Sequence, residues 1–146
     1  MGPICKRLLL AAIAGAWLTG CQSMGHMQQR ASSPCRNTTV TLYYEAGSET
    51  LTDAGQQIVT LTAQHLKGCK VQELSLVGLS DPAGSPEINQ TLSRHRAENV
   101  LAAFVRAGLP VPKYNLVAAG ERGAVTASGA VAPVRRQVDA TVVVGR

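Results

Sequence analysis

Aromatic residues are scarce in this 146-residue chain: one Trp, three Tyr and one Phe, 3% in all. Any core must therefore be built from Val, Leu, Ile and Ala. The scarcity also argues against a single-stranded nucleic-acid surface, which needs aromatic stacking platforms among its cations. No apolar run approaches the roughly 20 residues of a membrane-spanning helix; Leu8 to Leu18 covers about 11. No Cys-x-x-Cys or His-x-x-x-His spacing occurs, so no metal site and no cofactor is expected. Disorder is excluded by a composition that is 45% hydrophobic and 16% charged. A chain of this length is one domain that buries roughly two-thirds of its unfolded surface.

The formal charge of +5 invites a polyanion as partner, but it is unevenly placed. Lys6 and Arg7 precede the apolar run Leu8 to Leu18, and small residues follow, which is the pattern of a secretory signal peptide. The run ends in Leu18-Thr19-Gly20-Cys21. These four residues resemble the bacterial lipobox. The resemblance implies cleavage before Cys21, a diacylglycerol on its thiol and an acyl group such as palmitate on the new amino terminus. The alternative is an ordinary signal peptide with a chance Cys. Several acyl chains anchor stably where one does not. Gln22, in place of the Asp that retains lipoproteins at the inner membrane, implies an outer-membrane anchor with the domain facing the periplasm. Loss of residues 1–20 removes Lys6 and Arg7 and lowers the charge from +5 to +3.

Four cysteines then have three fates. Cys5 leaves with the signal, Cys21 carries lipid, and Cys35 and Cys69 remain as an even pair in an oxidising compartment. The pair reads as a disulfide, with two free thiols as the alternative.

Residues 22–36 are small and polar without hydrophobic periodicity, as expected of a tether. The expected organisation is a signal peptide over 1–20, lipidated Cys and flexible tether over 21–37, and one domain over 38–146. Thr39 to Tyr44 is rich in β-branched and aromatic residues and reads as a strand. Thr52 to Lys67 reads as a helix capped by Thr52 and stopped by Gly68, with Ile58, Leu61 and Leu66 in its apolar stripe. Val71 to Leu79 alternates as a second strand. Ser85 caps a second helix, with Pro86 in its first turn, that runs to about Ala107 and stops at Gly108. Its buried face is expected to hold Leu92, Ala97, Val100, Leu101 and Phe104. Tyr114 to Ala119 and Val138 to Val144 read as strands, joined by a Gly/Ala/Ser-rich loop over 120–133. The order strand-helix-strand-helix-strand-strand predicts an α/β (α+β) fold, a mixed four-stranded sheet with helices on one face.

The second strand ends in Gly78-Leu79-Ser80-Asp81. Gly84-Ser85, Asn89, Leu92-Ser93 and Arg96-Ala97 follow, with Arg96 fifteen residues after Asp81. This spacing resembles the OmpA-like peptidoglycan-binding domain, whose signature runs Gly-His-Thr-Asp, Gly-Ser, then Asn-x-x-Leu-Ser-x-x-Arg-Ala. Tyr44-Glu-Ala-Gly-Ser48, Gly120-Glu121 and Arg135-Arg136-Gln137-Val138-Asp139 extend the resemblance over about residues 39–144. Leu79 and Ser80 stand where the family has His and Thr, Arg135 and Gln137 where it has Asn and a second Arg, and Tyr44 where it has Phe. The resemblance implies a sandwich of that family. Its ligand would be the free zwitterionic end of meso-diaminopimelate in the peptidoglycan stem peptide. Asp81 would take the ammonium and Arg96 the carboxylate, with Asn89 and Arg136 in support.

The chemistry is consistent with that assignment, since a zwitterion needs an anion and a cation a few ångströms apart, and Arg grips a carboxylate bidentately where Lys cannot. The bland alternatives are a turn-capping Asp81, a solvated Arg96 on a helix face, or a salt bridge between the two. An enzyme is not expected. Gly78-Leu-Ser-Asp-Pro82 breaks the Gly-x-Ser-x-Gly elbow at Pro82, and His26, His65 and His95 have no nucleophile to serve. The partners expected are thus peptidoglycan and, through Cys21, the outer-membrane bilayer, with no nucleic acid. The competing reading is an interaction module that binds envelope proteins of a secretion or motility machine.

Overall fold

A computed structural model describes residues 35–123 and 135–145. The expected signal peptide, Cys21, nearly all of the expected tether and most of the expected 120–133 loop lie outside the described residues. The elements are β1 (Thr38–Tyr43), α1 (Asp53–His65), β2 (Val71–Leu79), α2 (Pro86–Arg106), β3 (Tyr114–Ala118) and β4 (Gln137–Val144). The sheet order is β1-β4-β2-β3. β4 pairs antiparallel with β1 and with β2, and β2 pairs parallel with β3. β1 and β2 therefore run the same way with β4 inserted between them.

Local chemistry sets the helix ends. The Thr52 hydroxyl accepts from the Gly55 N–H and the Ser85 hydroxyl from the Ile88 N–H, which satisfies donors that the first turn leaves unpaired. Gly68 and Gly108, at φ +86° and +83°, end the two helices in a conformation that costs glycine little. The helices cover one face of the sheet. Leu42, Leu74, Leu76, Val138, Ala140 and Val142 are fully buried on that face, against Val59, Leu66, Ala97, Val100 and Phe104. The other face carries side-chain hydrogen bonds, Thr39 to Thr141 at 2.9 Å and Thr41 to Asp139 at 2.7 Å. The alternation in β4, buried at Val138, Ala140 and Val142 and half-buried between them, is the period-two signature of a one-sided sheet.

The stripe expected of α1 needs correction. Leu66 is buried, but Leu61 is 56% exposed and Ile58 lies at the surface. The buried face is Gly55, Val59, Thr62 and Ala63, spaced four, three and one residues apart as a helix requires. Gly55 opens that face beside the N-cap, where an added Cβ would stand 2.9 Å from Leu51 Cδ2. Thr62 is accommodated there because its hydroxyl donates to the Ile58 carbonyl. In α2 the expected Ala97, Val100 and Phe104 are fully buried, whereas Leu92 and Leu101 are half-buried.

A disulfide joins Cys35 to Cys69, with Cα atoms 5.3 Å apart. It ties the chain just before β1 to the chain just before β2. His65 and His95 are both exposed.

Candidate functional site

The topology brings four chain segments to one edge of the sheet. β1, β2 and β3 end there, β4 begins there, and the N-terminus of α2 lies above. The ladder continues one residue past the strands. The Tyr44 N–H donates to the Arg136 carbonyl and the Ser80 N–H to the Gly120 carbonyl, each at 2.8 Å. Since Leu79 is opposite Gln137, Tyr44, Arg136, Ser80 and Gly120 form a row across the edge, and Asp81 stands just beyond it.

Close approach of α2 to β2 fixes this edge. A Cβ on Gly78 would overlap the Ser93 carbonyl oxygen, so only glycine fits. Asn89, Ser93 and Arg96, spaced four and three residues apart, form the buried polar stripe of α2. Each has a defined partner. Asn89 Nδ2 donates to Glu121 Oε2 at 2.7 Å. The Ser93 hydroxyl donates to the Gln90 carbonyl and accepts from the Gly120 N–H.

Arg96 is the largest fully buried side chain among the described residues. Its Nε donates to the Ser48 carbonyl at 2.7 Å, one Nη to Leu79 at 3.1 Å and the other to Glu45 at 3.3 Å. The guanidinium carbon lies 4.9 Å from the centroid of the Tyr44 ring, within cation–π range. Arg96 is thus not a solvated charge on a helix face; it joins the loop after β1 to the end of β2. Burial lowers its pKa from the ordinary value, opposed by Tyr44 and by the Asp81 carboxylate, while Arg136 adds to the lowering. Burial likewise pushes the Tyr44 hydroxyl well above the usual tyrosine value, partly offset by Arg96.

Asp81 Oδ2 lies 3.6 Å from Arg136 Nη1, and both side chains are about one quarter exposed (26% and 28%). Of the four residues singled out by the sequence, two form a pair and two lie on the buried stripe of α2. Asp81 and Arg136 are at the accessible mouth. Arg96 and Asn89 lie beneath it, with Arg96 in the field of both charges. The Ser80 hydroxyl and the Arg135 and Arg136 Nε atoms are buried at this edge without a hydrogen-bond partner among the described residues. A separate groove of about 370 Å³ lies on the outer side of α2, lined by Glu49, Ile88, Leu92 and His95 among others, and contains none of these four residues.

Sequence reasoning gave no role to Glu121, Tyr44 or Ser93. Glu121 was findable in principle, because it follows the strand parallel to β2 much as Asp81 follows β2. Among the described residues no group of three or more His, Cys, Asp or Glu side chains is placed to hold a metal ion.

The fold has solved counterparts. The OmpA-like domain of FopA1 from Francisella tularensis subsp. tularensis SCHU S4 superposes with a TM-score of 0.59 at 16% identity, covering 75% of this chain and 77% of that one. The peptidoglycan-associated lipoprotein from Burkholderia pseudomallei gives a TM-score of 0.55 at 22% identity over 72% and 89% of the two chains. The periplasmic domain of Helicobacter pylori MotB gives a TM-score of 0.57 at 11% identity over 75% and 78%. At these identities the likeness is one of fold. No curated protein matches in sequence. A sequence profile of the OmpA family matches residues 43–137, well over half the chain and the span that carries Tyr44, Asp81, Asn89, Arg96, Glu121 and Arg136: the chain belongs to the OmpA family.

Proposed function

We propose that this chain is an outer-membrane lipoprotein, anchored through acylated Cys21, that tethers the membrane to the cell wall by binding meso-diaminopimelate of the peptidoglycan stem peptide. The observation that carries the reading is the mouth: one accessible carboxylate, Asp81, 3.6 Å from one accessible guanidinium, Arg136, over the buried Arg96. A ligand with an ammonium and a carboxylate on one carbon exchanges this internal pair for two external ones. Asp81 takes the ammonium. The carboxylate, expected from the sequence to be gripped by Arg96 with Arg136 in support, goes instead to Arg136, because the Arg96 nitrogens are fully buried on the carbonyls of Ser48, Leu79 and Glu45; Arg96 adds positive field from beneath. Asn89, held by Glu121, shapes the floor. The reading makes the chain a binding protein, with no bond made or broken. It assigns residues 1–20 to the signal peptide, 21–37 to lipidated Cys and tether, and 38–146 to the wall-binding domain.

Sedimentation with purified sacculi tests it. The chain from residue 21, carrying Cys21→Ser to prevent acylation, should pellet with walls containing meso-diaminopimelate and not with walls that carry Lys in its place. Free meso-diaminopimelate should compete. Loss of one partner of a charge contact costs about 2–5 kcal/mol in interfaces, so Asp81→Ala should release the protein. Equal sedimentation of that variant and the parent would refute the site.

A second reading is an envelope-machine module that binds a protein partner with weak or no wall binding; MotB and the cell wall anchor of the T6SS from Pseudomonas aeruginosa (TM-score 0.50, 23% identity, 75% of this chain and 82% of that one) share the fold, and wall affinity is what separates the two readings. Failure of the parent chain to pellet would select it.

A further inference from the structure

The disulfide and the wall site stand at opposite ends of one strand. Cys69 lies two residues before β2 and Asp81 two residues after it. β2 is an interior strand, hydrogen-bonded to β4 on one side and β3 on the other. It is already extended, at about 3.3 Å per residue. The link from Cys69 into β2 is held too, since the Gly145 N–H donates to the Lys70 carbonyl at 2.8 Å. Cys35 sits in a weaker place. It precedes β1, an edge strand paired with β4 alone.

Tension entering from the N-terminal side reaches the described residues at Cys35. Without the cross-link it would load β1 from its first residue, with only the β1–β4 hydrogen bonds to resist it. It would then draw out α1 before reaching Asp81. With the cross-link, tension passes from Cys35 to Cys69 and along β2, and residues 36–68 lie off the path. We propose that the Cys35–Cys69 disulfide is a mechanical shunt that moves the pull of the anchor from the edge strand to the central strand bearing the wall site. The proposal rests on the reading above, in which the chain is anchored before Cys35 and held at Asp81. Burial suits the role: Cys69 is 8% exposed within the core and Cys35 packs against it.

Single-molecule pulling tests this without any cell wall. The chain from residue 21 with Cys21→Ser carries one handle at its N-terminus and one at the exposed Ala83, just past Asp81. In the oxidised protein, residues 36–68 should contribute no length at any force that leaves the disulfide intact, and the fold between the handles should yield at higher force than in the reduced protein. After reduction, or in the Cys35→Ser/Cys69→Ser variant, an early step should appear at lower force. The 34-residue separation between the cysteines corresponds to at most about 12 nm of extended chain. With handles at Ala83 and the C-terminus, a path that omits the cross-linked loop, reduction should leave the rupture force unchanged. Equal weakening in both geometries would overturn the shunt and make the bond a general staple. A reduced chain whose circular dichroism shows it unfolded before any pull would overturn it as well. Sacculus sedimentation is read separately: a failed pellet with an intact pulling result removes the wall reading and the load at Asp81 with it, while a normal pellet with equal weakening in both geometries removes the shunt alone.

Discussion

The Tyr44 hydroxyl donates to the backbone carbonyl of Arg96 at 3.2 Å while the guanidinium of the same Arg96 lies over the Tyr44 ring. One aromatic residue thus holds both ends of the arginine that underlies the site. The hydroxyl exists because Tyr stands where relatives are expected to have Phe, and it gives this domain a pH signature. Burial raises the folded-state pKa of Tyr44 above the ordinary value of about 10. The neutral form is therefore favoured by folding, and its contribution is complete below pH 10. Stability should fall above pH 10 by up to about 1.4 kcal/mol per pH unit from this group. Urea titrations between pH 8 and 11 should show that slope in the parent and a shallower one in Tyr44→Phe. At neutral pH the variant should lose about 1 kcal/mol for the missing hydrogen bond.

Arg96 should matter to stability before it matters to any ligand. Arg96→Ala strands the carbonyls of Ser48, Leu79 and Glu45 and opens a cavity, so unfolding in urea should show a loss of at least about 3 kcal/mol. Arg96→Lys keeps the charge but not the planar fork, and should fall between the two. A parent-like urea midpoint in the alanine variant would show that the three carbonyl bonds are not holding the loop after β1.

Asp81 should show the opposite profile. Its pair with Arg136 is partly exposed and long, worth about 0–1 kcal/mol. Asp81→Asn should therefore unfold within about 1 kcal/mol of the parent while losing sedimentation with sacculi. A variant that loses both together would mean that the charge supports the fold and not a ligand.

Gly78→Ala tests the approach of α2 to β2. The added methyl meets the Ser93 backbone carbonyl rather than a flexible side chain, so relief requires moving the helix. A loss of about 1–3 kcal/mol is expected, and at roughly 4–8 °C per kcal/mol for a domain near this size it should be plain in a thermal melt.

The comparison of sequence with structure separates local from long-range information. Helix caps at Thr52 and Ser85 and stops at Gly68 and Gly108 are readable because each acts within a few residues. The strands are readable because alternation is local. The buried face of α1 is misread at Ile58 and Leu61 because a helix that packs closely presents Gly55, Thr62 and Ala63 inward, and apolar periodicity weighs size over fit. At the site, spacing along α2 identifies Asn89 and Arg96 as neighbours of the strand end. It cannot show that Asp81 pairs with Arg136, because that contact depends on the register of β4 against β2. Nor can it show that Glu121 holds Asn89, or that Tyr44 lies under Arg96, since both contacts span more than thirty residues.

The position of β4 has a consequence for biogenesis. It follows every other element in chain order yet occupies the interior of the sheet, between β1 and β2. Until it arrives, β1 has no partner strand, and the row of residues on which Asp81 and Arg136 meet is missing one of its members. Local hairpins cannot substitute, because the pairing of β1 with β4 joins residues about a hundred positions apart, and such non-local closure is slow. During synthesis the sheet of the described residues therefore stays incomplete, with its central position unfilled, until β4 is delivered.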